Sequence, residues 1–166
     1  MPRTSICLGI AVLLSVAALV RPPALAQPKD EPAVKMTKEE TYIFNELNRE
    51  RKEKELAPLT SNSTLIRLAR QHSANMGKHD KMDHVLDEKN PADRATDIGY
   101  NYMKLGENIA YGKGVELEAI HKGWMESKPH RENILNEEFT EVGVGIITDA
   151  QGKQWFTQVF GTQLKQ

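Results

Sequence analysis

Four residues in this chain combine reactive side chains with surroundings suited to chemistry: His84, Glu107, Glu126 and His130. Each lies beside turn or apolar residues and not within a run of surface charge. His130 opens a predicted helical turn. The positive end of the helix dipole disfavours imidazolium there, so its pKa is expected to fall and the ring to stay neutral near pH 7. A neutral imidazole binds Zn²⁺ or accepts a proton. Glu107 follows Gly106, which lets the backbone bend or approach a neighbour closely. Its carboxylate can fix the tautomer of a histidine or complete a metal shell. The same residues also suit a blander role, a hydrogen bond tying two loops together.

Much other chemistry is excluded. There is no H-E-x-x-H helix motif, no G-x-S-x-G elbow and no Gly-rich phosphate loop. The single cysteine, Cys7, closes no intramolecular disulfide and rules out a zinc site of two or more thiolates. With 22 basic and 23 acidic residues, the formal net charge is −1. No basic field exists to grip a phosphate backbone, so nucleic acid is not an expected partner. His72 falls on an apolar helical stripe and reads as a hydrogen-bonded core residue. His79 reads as a solvated loop residue, and His121 as the flank of a helix. Trp124 and Trp155 sit in apolar patterns and read as core anchors.

The elements that must position these groups begin after a leader. Arg3 precedes a fifteen-residue uncharged run from Ile6 to Val20, and Ala24-Leu25-Ala26 has the small-x-small pattern of a signal-peptidase site. The run is short for a bilayer span, which takes about 20 residues. Residues 1–26 are therefore expected to be a cleaved signal peptide, leaving no integral membrane span and a secreted, extracellular or periplasmic product. Cys7 would leave with it. The remainder has 20 basic and 23 acidic side chains, a net −3. Residues 27–36, with two prolines and four charges, read as a disordered tether, and residues 37–166 as one domain, expected to be monomeric.

Within that domain, Thr37 and Glu40 form a capping-box pattern opening a helix to about Glu55. Ser61 or Asn62 caps a second helix to about Gly77, with Leu65, Leu68, Ala69, His72 and Met76 on one stripe. Asn90-Pro91 opens a short helix to about Gly99. Leu105 to Tyr111 reads as a short extended segment, and Val115 to Ser127 as a further helix. Pro129 is expected to interrupt it, with one or two more turns over Arg131 to Asn136. Glu141 to Thr148 and Lys153 to Phe160 alternate as a hairpin around Asp149-Ala150-Gln151-Gly152. Helices first and strands last indicate an α+β domain, helices packed on a small antiparallel sheet.

Three ordered motifs then resemble the CAP superfamily, which includes cysteine-rich secretory proteins, antigen 5 and plant pathogenesis-related protein 1, and whose module is also called the SCP domain. They are Gly106-Glu107-Asn108-Ile109-Ala110, the stretch from Trp124 through Pro129-His130-Arg131 to Leu135, and Phe139-Thr140-Glu141-Val142-Gly143-Val144-Gly145. The likeness spans about Tyr42 to Phe160, and the lack of disulfides fits its bacterial branch. The resemblance implies an α-β-α sandwich whose cleft holds two histidines and two acids, with a divalent ion, zinc above all, bound by the histidines in some members. By motif, His84 and His130 match the histidines and Glu107 the first acid. The second acid's position, three residues after Trp124, is held by Ser127. Glu126 lies one residue early, about 100° round the helix. The leading expectation is a secreted, non-enzymatic binding module for a small or lipid-like ligand or an envelope partner. The alternative is a metal-assisted hydrolase acting on an extracellular or envelope substrate, with Glu126 as candidate base.

Overall fold

A computed structural model describes residues 33–164; the expected signal peptide and most of the tether lie outside the described residues. Five helices and four strands follow in the order α1 (Lys38–Glu53), β1 (Thr60–Ser61), α2 (Ser63–His79), α3 (Pro91–Asp97), β2 (Tyr102–Lys113), α4 (Leu117–Glu126), α5 (Lys128–Ile134), β3 (Glu141–Thr148) and β4 (Lys153–Gln163). The strands form one sheet in the order β1-β3-β4-β2. β4 pairs antiparallel with both β3 and β2, while the two residues of β1 pair parallel with β3.

Alternation along β4 divides the core in two. Phe156 and Phe160 face one side and pack with Ile43 and Leu47 of α1, Trp124 of α4 and Ile134 of α5. Val159 faces the other, with Leu65, Leu68 and Ala69 of α2 and Ala95 of α3. The result is an α-β-α sandwich, as expected. The capping residues act as the sequence indicates. Thr37 and Glu40 complete the box at α1, and Asn62 Oδ1 accepts from the amides of Thr64 and Leu65 at the start of α2. Glu40 is wholly buried and does more than cap: Arg70 Nε and Nη2 donate to it at 2.8 and 2.6 Å, pinning α2 to α1.

Four features differ from the expectations. β1 is too short to carry an alternation, and it makes the sheet mixed. The extended segment around Glu107 is a twelve-residue strand, since its polar residues pair along the whole of β4. Pro129 does not interrupt a helix; it sits in the first turn of α5, where its missing N–H is no loss. The last residues of the expected tether are docked on α2, with the Val34 amide donating to Ser63 Oγ and Arg70 Nη2 donating to Lys35 O.

α2 lies directly on β3 because Gly143 and Gly145 carry no side chain on that face. A Cβ at Gly143 would stand 2.0 Å from the Leu65 carbonyl carbon, and one at Gly145 would stand 2.2 Å from the Arg70 amide. Neither neighbour can move without moving the helix. Gly143→Ala is therefore expected to lower stability by about 1–3 kcal/mol through overpacking. Gly123→Ala, in α4 with open space around it, should raise stability by about 0.5–1 kcal/mol. Urea denaturation of both variants checks this, and equal effects would refute the contact argument.

Candidate binding cleft

β2 is an edge strand, and its alternation sends neighbouring polar residues to opposite faces of the sheet. Glu107 points to the α2 side and Asn108 to the α5 side. The candidate site lies where the two layers meet around this edge.

On the α2 side, Glu107 is almost completely buried. His84 Nδ1 lies 2.8 Å from its Oε1, and Arg94 Nη2 donates to Oε2 at 2.7 Å. Arg94 reaches there from α3 and also donates from Nη1 to His84 O and Lys89 O, both at 2.8 Å. It thus holds the carboxylate and the loop carrying His84 together. His72 of α2 completes the group, its Nε2 3.6 Å from Glu107 Oε1, beyond hydrogen-bond length.

On the α5 side, His130 Nδ1 lies 2.8 Å from Ser127 Oγ. Asn108 Nδ2 donates to His130 O at 3.1 Å and to Gln158 Oε1 at 3.0 Å. Asn133 Nδ2 donates to Asn108 Oδ1 and to Glu107 O, which joins the halves of the site. Gly106 lets α5 approach, because a Cβ there would meet Phe139 at 2.8 Å and Asn133 Oδ1 at 3.1 Å.

The structure thus joins His84 to Glu107 and His130 to Ser127. It turns Glu126 outward, toward Lys122 Nζ at 3.8 Å, with its side chain about two-thirds exposed. Each histidine is tethered through Nδ1. Among the described residues, neither Nε2 makes a hydrogen bond. No group of three or more His, Cys, Asp or Glu side chains converges as a metal cage among the described residues.

Sequence reasoning missed Arg94 and the placement of His72. Arg94 lies in a short charged helix that gives no hint of a buried partner. His72 is in the core, as its stripe indicates, but neither ring nitrogen makes a hydrogen bond of normal geometry. His121, expected on a helix flank, is likewise buried and unbonded, with Glu50 Oε1 3.6 Å away. His79 ends α2 and faces Asp87 at 3.0 Å. Trp124 and Trp155 are buried anchors whose indole N–H groups donate to Ile109 O and Asp149 Oδ2.

Chains of this architecture are known. The model of the cysteine-rich secretory protein family, CAP, matches residues 44–160. The chain belongs to that family. It is 38% identical over 123 residues to YkwD, an uncharacterised protein of Bacillus subtilis, covering 74% of this chain and 47% of YkwD. An outer surface protein of Borrelia burgdorferi superposes with a TM-score of 0.73 at 21% identity, over 79% of this chain and 97% of that one. An extracellular SCP-domain protein of Bacillus anthracis gives 0.68 at 26% identity, over 79% of this chain and 45% of that one. NaASP2, solved with Zn²⁺, gives 0.56 at 13% identity, over 78% of this chain and 83% of that one. This CAP chain therefore spans under half of YkwD and of the anthracis protein. Its structural relatives include outer-surface and extracellular proteins. No helix among the described residues is long and apolar enough to cross a membrane.

The buried rings make stability depend on pH. Burial lowers the pKa of His72, and burial followed by the charge of His84 lowers that of His130, which bears out the direction expected for His130 but with a different leading cause. Burial lowers His121 as well. Below the ordinary imidazole value of 6.5, the unfolded chain then binds more protons than the folded one, so stability falls as pH drops. The urea midpoint should be lower at pH 5.5 than at pH 7.5; a midpoint that rises would contradict the assignment. Separately, Arg94→Met leaves a buried carboxylate without its strongest partner and should cost about 3–5 kcal/mol in denaturant titration at neutral pH.

Proposed function

We propose that this CAP domain is a secreted binding module whose His84 and His130 together hold a divalent ion, zinc first, with a small or lipid-like ligand docking beside it. The observation that carries this reading is the matched tethering of the two imidazoles. Glu107 accepts from Nδ1 of His84, and Ser127 meets Nδ1 of His130, so both Nε2 atoms are left for a ligand. A carboxylate behind a histidine is the usual arrangement behind a metal-bound imidazole. NaASP2, of the same fold and solved with Zn²⁺, adds support.

Two imidazoles fit the start of a metal site and not a closed one, since structural zinc takes four protein ligands and catalytic zinc three. A bound ion would keep open positions and supply a Lewis-acidic docking point. The protein's own residues orient the two rings and keep His130 neutral. Beside the cleft, Met82, Ile109, Ala110, Tyr111, Ile120 and Trp124 line a groove of about 250 Å³, which suits an apolar ligand body. The hydrolytic alternative needs a base, and Glu126, outward and facing Lys122, is poorly placed to serve; the binding reading therefore stands first. Export by the segment 1–26 is part of the proposal, in keeping with the extracellular and outer-surface relatives.

Calorimetric titration of Zn²⁺ into the metal-free protein tests the site. The wild-type chain should give a saturable heat, and the His84→Ala, His130→Ala double variant should bind at least tenfold more weakly while keeping its circular dichroism. Indistinguishable isotherms from the two folded proteins would remove the metal from the account.

A further inference from the structure

A second pocket, about 530 Å³ and open to solvent, lies between α2 and α3. That volume is within the usual range for small-molecule sites, about 300–1,000 Å³. Neither His84, Glu107 nor His130 lines it, but His72 and Arg94 do, so it adjoins the cleft from the α2–α3 side and shares those two residues with it. Its apolar surface comes from Ala74 and Ile98, and its charges are Lys78, Lys89, Arg94 and Asp97.

Three cations against one anion leave a surplus, and the pairing shows where it falls. Lys89 Nζ is 2.7 Å from Asp97 Oδ2, so these two neutralise each other. Arg94 spends its terminal nitrogens on Glu107 and two carbonyls, but its Nε–H is buried with no acceptor. The Arg94 side chain is only 9% exposed. Lys78 makes no ion pair among the described residues. His72, also buried and unbonded, lines the same pocket. The pocket thus offers one unmatched ammonium and a short apolar wall, with the buried Arg94 Nε–H behind that wall.

We propose that this pocket binds a small organic monocarboxylate, its head group on Lys78 and its hydrocarbon body on Ala74 and Ile98. A single negative charge matches the available cation. A dianion such as phosphate would meet the Asp97 carboxylate without a second free cation, and it would leave the apolar wall unused. The site owes nothing to a metal at His84 and His130.

Hexanoate titrated into the ¹⁵N-labelled full chain in the presence of EDTA, followed by amide NMR, tests the proposal independently of zinc. Saturable shifts are expected at Ala74, Asn75, Lys78 and Ile98. Lys78→Gln should weaken binding at least tenfold and Lys78→Arg should largely retain it; Lys78 is exposed, so neither change threatens the fold. 1-Hexanol, with the same tail and no charge, should bind at least tenfold more weakly than hexanoate, and inorganic phosphate should not displace it. The proposal fails if hexanoate gives no saturable shifts or if Lys78→Gln binds like the wild type. It fails equally if hexanol matches hexanoate, which marks a merely apolar hole, or if phosphate competes on equal terms, which marks an unselective anion site.

Discussion

A carboxylate buried beside the sheet edge governs the arrangement of the cleft. Glu107 has almost no contact with water, so its charge must be met by protein. Arg94 and His84 meet it from two separate segments, and both are thereby held in place. Arg94 adds hydrogen bonds to the backbone on either side of the loop, which has little apolar packing of its own beyond Leu86. The loop from α2 to α3 is thus ordered chiefly by electrostatics. Its histidine gains a defined ring orientation as a consequence, because an ionised carboxylate can only accept, and Nδ1 must carry the proton that it donates.

The position of that carboxylate depends in turn on the sheet. The glycines of β3 allow α2 to rest on the strand backbone, which fixes the depth at which His72 approaches Glu107. The register of β2 on β4 places Glu107 opposite Val159 and Asn108 opposite Gln158. A slip of one residue would send the carboxylate to the α5 side and the amide to the α2 side, separating each from its partners. Eleven paired positions and a large apolar core on both faces hold the register against that slip. The cleft is polar, but apolar packing elsewhere sets its geometry.

Much of the fold could be read from local patterns. Caps, turn residues and apolar stripes act within a few residues of one another, so Thr37, Asn62 and Asn90 mark helix starts and the β3–β4 hairpin declares itself by alternation. The shortest strand and the longest were missed or cut for the opposite reason. β1 has two residues, and the polar stretches of β2 are strand only because β4 pairs with them. The site divides in the same way. His84, Glu107 and His130 stand in recognisable motifs, whereas Arg94 matters through a contact thirteen residues away that no local pattern encodes. His72 shows the limit of the stripe argument: periodicity predicts burial but says nothing about whether a buried ring finds a hydrogen-bond partner.

The serine at 127, where the family resemblance implies an acid, bears on how a cation would be held in the reading proposed above. Arg94 offsets the charge of Glu107 at 2.7 Å, and Glu126 faces outward, so the cleft offers a divalent ion two imidazole rings and little net negative potential. Coulombic attraction, which scales with the charges present, therefore contributes little to capture. The Ser127 hydroxyl can orient His130 through Nδ1, but it contributes no charge. The ion's remaining positions would then be best filled by an anionic group on the ligand itself. Metal and ligand would bind as a mutually dependent pair, each weak alone, and the apolar groove beside the cleft would supply the rest of the affinity through the ligand's hydrocarbon surface.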